Sequence, residues 1–192
     1  LKEKAKQNKK TIVLPETSDM RTIEAAGKVL AEGIANIILV GDKEDIMSRA
    51  GDIDLSGASF VDPKNYEKFD EYVDAFVEMR RKKGMTEARA KELLLTNPLY
   101  FGCMMVKQDD ADGMVAGAIN ASADVLRAAL QTLKTAPGTR IVSAFFLVVV
   151  PDCQYGANGT FVFADAGLNQ SPSSSELSLI HISEPTRRVV IS

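Results

Sequence analysis

Residues 11–61 read TIVLPETSDMRTIEAAGKVLAEGIANIILVGDKEDIMSRAGDIDLSGASFV, and their pattern decides the fold. Residues 11–14 are a short apolar run closed by Pro15, which suits a buried strand. Glu16, Thr17, Ser18 and Asp19 supply helix N-cap candidates. Met20, Ile23, Ala26, Gly27 and Leu30 then recur at helical spacing, and Gly33 stops the helix. Ala35–Val40 is a second apolar run, Gly41 and Asp42 form a turn, Lys43–Ala50 reads as a short helix ended by Gly51, and residues 58–61 are a third strand. Strands that are apolar throughout, rather than alternating, belong to a parallel sheet covered on both faces. With right-handed crossovers this predicts an α/β protein with a doubly wound, mostly parallel three-layer α/β/α sheet. Pro15-Glu16-Thr17 follows the first strand where a Gly-x-Gly-x-x-Gly turn would stand, so a Rossmann dinucleotide site is not expected.

Outward from this core, residues 1–10 read as a frayed helix end. Residues 66–83 predict a longer helix, with Phe69, Tyr72, Val73, Phe76 and Met79 on one side and Arg80-Arg81-Lys82-Lys83 at its end. Such a basic end is either a solvated terminus matched to the helix dipole or a ligand site. Thr86 caps another helix, and Pro98 starts a further one that ends near Lys107. Asp109, Asp110 and Asp112 cluster at a turn, as a plain exposed turn or a metal site.

Asp112 to Thr135 reads DGMVAGAINASADVLRAALQTLKT. An apolar run over 113–118 predicts a strand, 119–124 a turn of small residues, and Val125, Leu126, Ala129, Leu130 and Leu133 one side of a helix. Ser122 or Asp124 can cap that helix, and Arg127 stands about one turn in. Orphan helix-start amides, a hydroxyl and a guanidinium together suit a phosphate or another anion. The same stretch also fits an ordinary strand-to-helix connection with a surface arginine. Beyond it, residues 141–150 are a long apolar strand and 160–163 another, joined by a polar loop as a hairpin. The expected organisation is an α/β domain over 1–142, the start of a second α/β domain over 143–170, and a Ser-rich tail over 171–192.

Residues 177–187 of that tail resemble translated adapter or vector sequence more than a folded element, and they hold the single histidine, His181. Chemistry in the preceding residues therefore falls to carboxylates, arginine, lysine, serine or the backbone. Cys103 and Cys153 lack metal-ligand or redox spacing and read as buried free thiols. A net charge of −3 argues against a nucleic-acid binder. No apolar run approaches the roughly 20 residues of a membrane helix, and no signal-peptide core is present, so a cytoplasmic location is expected.

Taken together, TIVLPETSDMRTIEAA, Ala35 to Gly41, DGMVAGA with Ser122, LRAALQTLKT and SAFFLVVVPDCQYGANGTFVFADAG resemble phosphate acetyltransferase over residues 1–167. The resemblance implies two α/β domains with a cleft between them and transfer of an acetyl group between CoA and inorganic phosphate. CoA and acetyl-CoA then act as substrates, with no separate cofactor and no metal. It also implies a direct attack by the CoA thiolate and a homodimer when full length. Arg80, in AFVEMRRKKG, corresponds to a family arginine that binds CoA. Arg127, in ADVLRAAL, corresponds to one that binds and positions substrate and is the catalytic candidate here. Ser122 and the amides around Asn120 are further substrate-binding candidates. The family's general base, an aspartate, and its neighbouring serine and arginine belong to the C-terminal half. This chain is therefore expected to be an N-terminal half with little activity of its own. A phosphate butyryltransferase-like enzyme and a non-catalytic CoA- or acyl-phosphate-binding regulatory module are the alternatives.

Overall fold

The computed structural model describes residues 2–135, 142 and 145–164. The chain divides into two compact units, Leu1–Lys134 and Thr135–Ser192. In the first, helix α1 (Lys2–Gln7) precedes β1 (Lys10–Leu14), α2 (Met20–Glu32), β2 (Ala35–Val40), α3 (Lys43–Ala50) and β3 (Ser59–Val61). Then come α4 (Phe69–Arg80) with a 3-10 turn over Arg81–Lys83, α5 (Glu87–Thr96), α6 (Pro98–Lys107), β4 (Gly113–Met114) and α7 (Ser122–Thr132). The four strands form one parallel sheet in the order β3-β2-β1-β4.

The apolar runs are continuous because alternate side chains serve two cores. Val13, Ile38 and Val40 pack with Tyr72, Phe76, Leu94, Phe101 and Ala128 of α4–α7. Leu14, Ile37 and Leu39 point the other way, to Ile23 and Ala26 of α2 and Ile46 and Ala50 of α3. The result is the expected three-layer arrangement. Four of its helices start at a side-chain N-cap. Asp19 accepts from the Arg21 amide, Asp42 from the Asp45 amide, Thr86 from the Arg89 amide, and Asn97 stands before Pro98. Gly33 closes α2 in the left-handed region at φ 65°.

Three local expectations need correction. The helix predicted over 66–83 starts at Phe69, because Tyr66 and Lys68 turn aside to the Asp110 carboxylate. The strand predicted over 113–118 ends at Met114: the Val115 amide still donates to the Val13 carbonyl of β1 at 3.0 Å, but the amides of residues 117–120 turn to the Glu16 carboxylate. The acidic turn is neither plain nor a metal site: Asp110 accepts from Tyr66, Lys68 and Tyr72, and Asp112 from the Thr11 amide and Lys10. Both carboxylates are thus committed to clasping β4 and α4 into place. Among the described residues no group of His, Cys, Asp or Glu is placed to hold a metal ion. Neither cysteine is in a disulfide; Cys103 is buried, whereas Cys153 is only half-buried.

In the second unit β5 (Phe145–Val149) and β6 (Thr160–Ala164) pair antiparallel, from Phe145 opposite Ala164 to Val149 opposite Thr160. This is the expected hairpin. Gly159 is required at its closing loop: φ is 77°, and a Cβ there would lie 2.0 Å from the Val150 carbonyl oxygen. The tail over 171–192 lies outside the described residues. Among those that are described, no helix is long and apolar enough to cross a membrane.

Phe101 is fully buried, with the Tyr66 and Tyr72 rings 5.7 and 5.6 Å away. Phe101→Ala should cost about 3–5 kcal/mol of stability, as large-to-small changes in a closed core do. Urea denaturation measures it, and a loss below about 1 kcal/mol would contradict this account of the core.

Candidate functional site

In an open parallel sheet ligands bind outside the carboxyl ends of the strands, where the strand order reverses. Here that point lies between β1 and β4. Glu16 sits just past the end of β1, only 3% exposed. Its carboxylate accepts from the amides of Gly117 and Ala118 at 2.6 Å each, from those of Ile119 and Asn120 at 3.2 and 2.9 Å, and from Asn120 Nδ2 at 2.8 Å. Burial alone would raise its pKa, but the bonds from Asn120, Ala118 and Gly117 prevail and lower it from 4.5 to about 2. The turn amides expected to receive a substrate anion are therefore held by the chain's own anion. The amides at the start of α7, from Ser122 on, are not among those Glu16 holds. The clasp also explains the short β4, since amides that face Glu16 cannot join a ladder.

Neighbouring bonds complete this corner. Thr17 Oγ1 donates to the Val40 carbonyl at 2.6 Å, tying the end of β1 to the end of β2. Arg49 Nη1 donates to the Thr17 carbonyl at 2.7 Å, and Arg21 bridges Asp19 and the Ala118 carbonyl. Glu16 was legible in the sequence only as one of four cap candidates, and Asp19 turned out to be the cap. The usable signal was an acidic residue two positions after a buried strand.

The expected site residues stand further along the chain. Ser122 is the exposed first residue of α7; the N-cap is Ala121, and neither Ser122 nor Asp124 caps the helix. Asp124 instead forms an ion pair with Arg127, whose side chain is 59% exposed. Arg127 therefore stands on the surface with one carboxylate partner, not walled into packing. α7 packs against α6 and α4. Arg80, the last residue of α4, is half-buried, and its Nε is the one buried side-chain nitrogen or oxygen among the described residues without a hydrogen-bond partner. Between these helices lies Tyr100 of α6. Burial raises its hydroxyl pKa, while the Arg127 and Arg80 charges both act to lower it. The fold thus brings Arg80 and Arg127 to bear on one tyrosine, and leaves Ser122 more than a helical turn before Arg127. Arg80 and Tyr100 line a cavity of about 390 Å³, with Gln131, one turn after Arg127, on the same wall.

The family model described as "Phosphate acetyl/butaryl transferase" matches residues 1–186. The chain belongs to this family. It is 54% identical over 181 residues to the phosphate acetyltransferase of Acetivibrio thermocellus, covering 94% of this chain and 54% of that protein. It is 52% identical over 180 residues to that of Thermoanaerobacterium thermosaccharolyticum, covering 94% and 55%. Among solved structures, the EutD phosphotransacetylase from Staphylococcus aureus matches 94% of this chain and 53% of its own at a TM-score of 0.82 and 35% identity. The chain spans about half the length of the phosphate acetyltransferases it matches. The architecture that strand and helix patterns predict is thus the phosphotransacetylase α/β fold, and the Glu16 clasp lies within the matched residues.

The clasp makes a pH-dependent prediction. A carboxylate whose folded pKa is depressed stabilises the fold above its unfolded pKa and loses that contribution as pH falls through the folded value. Glu16→Gln should cost about 3 kcal/mol at neutral pH. The gap between wild type and variant should close as pH falls from 4.5 towards 2. Urea denaturation across that range measures it; a gap that does not change with pH would refute the assignment.

Proposed function

We propose that this chain carries the substrate-anchoring half of a phosphate acetyltransferase, which interconverts acetyl-CoA plus inorganic phosphate with CoA plus acetyl phosphate. The supporting observation is a cavity lined by Arg80, which carries a buried unpartnered donor, by Tyr100, and by Gln131, one turn after Arg127 on α7. In this proposal Arg127 is the catalytic residue. Its ion pair with Asp124 is exposed, so exchange of that carboxylate for a phosphate or acyl phosphate costs little. A guanidinium offers phosphate two parallel bonds and stabilises charge that builds on the carbonyl or phosphoryl oxygen during attack by the CoA thiolate. Arg80 holds CoA, and Ser122 supplies a hydroxyl at the start of the same helix as Arg127. CoA enters as a substrate; the transfer so drawn needs no metal and no redox cofactor.

The group that takes the thiol proton is assigned to the other half of the longer relatives, along with part of a homodimer interface. A cytoplasmic location follows from the substrates. The family description covers butyryl as well as acetyl transfer; acetyl is preferred because the relatives at 54 and 52% identity are acetyltransferases.

Two measurements test this. The 192-residue chain should release no CoA from acetyl-CoA and phosphate above background, whereas a chain continued to the relatives' length should do so, with acetyl-CoA preferred over butyryl-CoA. In the longer chain Arg127→Ala should lower kcat about 10²-fold or more, as loss of a donor to a developing oxyanion does. Turnover at an ordinary enzyme rate by the 192-residue chain would overturn the division of labour. Unchanged kcat in the variant would remove Arg127 from catalysis. CoA binding by the longer chain with no turnover would favour a binding module.

A further inference from the structure

Arg127 belongs to α7, and apolar packing does not hold the first turn of that helix. Ala121, Ser122 and Ala123 are exposed. Ala121 is the N-cap, and no side chain caps the helix. The loop that leads in from β4 is no better anchored by apolar contact: Val115 is 61% exposed and Ile119 56%. The fully buried residues of α7 are Ala128 and Thr132, which come after Arg127 in the chain.

A continuous polar path covers that gap. Glu16 holds the amides of residues 117–120. Ala121, next in the chain, accepts from the Asp124 and Val125 amides at 2.9 and 3.2 Å. The Asp124 carboxylate then pairs with Arg127. Arg21, at the start of α2, adds a bond to the Ala118 carbonyl. Each step joins immediate neighbours, so the path runs unbroken from the end of β1 to the guanidinium, as energetic coupling requires.

We propose that Glu16 is a positioning residue for catalysis: by fixing residues 117–120 against the end of β1 it sets the first turn of α7 and, through Asp124, the aim of the Arg127 guanidinium. This rests on the proposed function, in which Arg127 is the catalytic residue, and adds to it a residue that acts at a distance. The chemistry of the side chain matters. An ionised carboxylate only accepts, and this one serves four backbone amides and the Asn120 side chain. A glutamine of the same shape keeps one accepting oxygen and brings N–H donors into a ring of donors. The loop must then move away from it. A catalytic group displaced by about 1 Å can lose about 10²-fold in rate. Asp110 is the internal contrast. It is a clasp of the same kind, but its donors are Tyr66, Lys68 and Tyr72, before and within α4.

A double-mutant cycle in a chain continued to the relatives' length tests this, with kcat referred to folded enzyme. Glu16→Gln should lower kcat about tenfold or more and leave KM for CoA nearly unchanged, because the loss falls on a contact made in the transition state. In an Arg127→Ala background the same change should lower kcat little further, since the group it aims is gone. Glu16→Asp keeps the charge on a shorter stem and should retain part of the activity that Glu16→Gln loses; it also reports on the clasp if the glutamine variant fails to fold. Asp110→Asn should lower stability yet leave kcat unchanged. An equal fall with Glu16→Gln in both backgrounds, or the same fall in Asp110→Asn, would overturn the proposal and leave the proposed function standing. Wild-type kcat in every folded Glu16 variant would do the same. If Arg127→Ala alone keeps full activity, the proposed function loses its catalytic residue and the inference fails with it.

Discussion

The end of the sheet depends on one buried carboxylate that has exchanged water for five protein donors. Glu16 leaves β1 at the point where strand order reverses, and it gathers the amides of residues 117–120 into a single ring. Burying an unpaired charge would be prohibitive, and leaving four loop amides without acceptors would be costly too. Each problem supplies the answer to the other. The lowered pKa is the thermodynamic mark of that exchange, because donors to the ionised form outweigh its desolvation.

In the proposed function this arrangement limits where substrate anions can go. The loop before α7 has the composition of an anion-binding turn, and its amides do bind an anion, but an internal one. The remaining positive groups are side chains on α4, the turn after it, α5 and α7. Among the described residues, arginines stand free of carboxylates only where they line one cavity, while others nearby are neutralised within their own helices. In the proposed function, anion recognition in this unit therefore falls to guanidinium and ammonium groups on the helical layer. The strand ends behind that layer are locked by Glu16, Thr17 and Arg21.

The other acidic cluster follows the same rule. Asp110 and Asp112 look like metal ligands by spacing, yet Tyr66, Tyr72, Lys68, Lys10 and the Thr11 amide occupy them. They fasten the opposite ends of the strands, where β1 and β4 begin. Carboxylates thus hold both ends of the β1–β4 pair.

Much of this was legible from residue order alone. Ala35–Val40 and Lys43–Ala50 have the bounds that apolar runs and glycine stops predict, because local period and caps respond to neighbours only a few positions away. The parallel three-layer plan followed from strands apolar on both faces, and family resemblance pointed to Arg80 and Arg127. What no local pattern revealed was the partner of each polar group. Glu16 meets residues about a hundred positions later in the chain, Asp110 meets residues in α4 and just before it, and the pairing of Arg81 but not Arg80 depends on which way each leaves a helix end. Spacing sets periodicity, but hydrogen-bond and ion-pair choices are long-range and exclusive. Only the folded chain decided which amides and cations were already engaged within it.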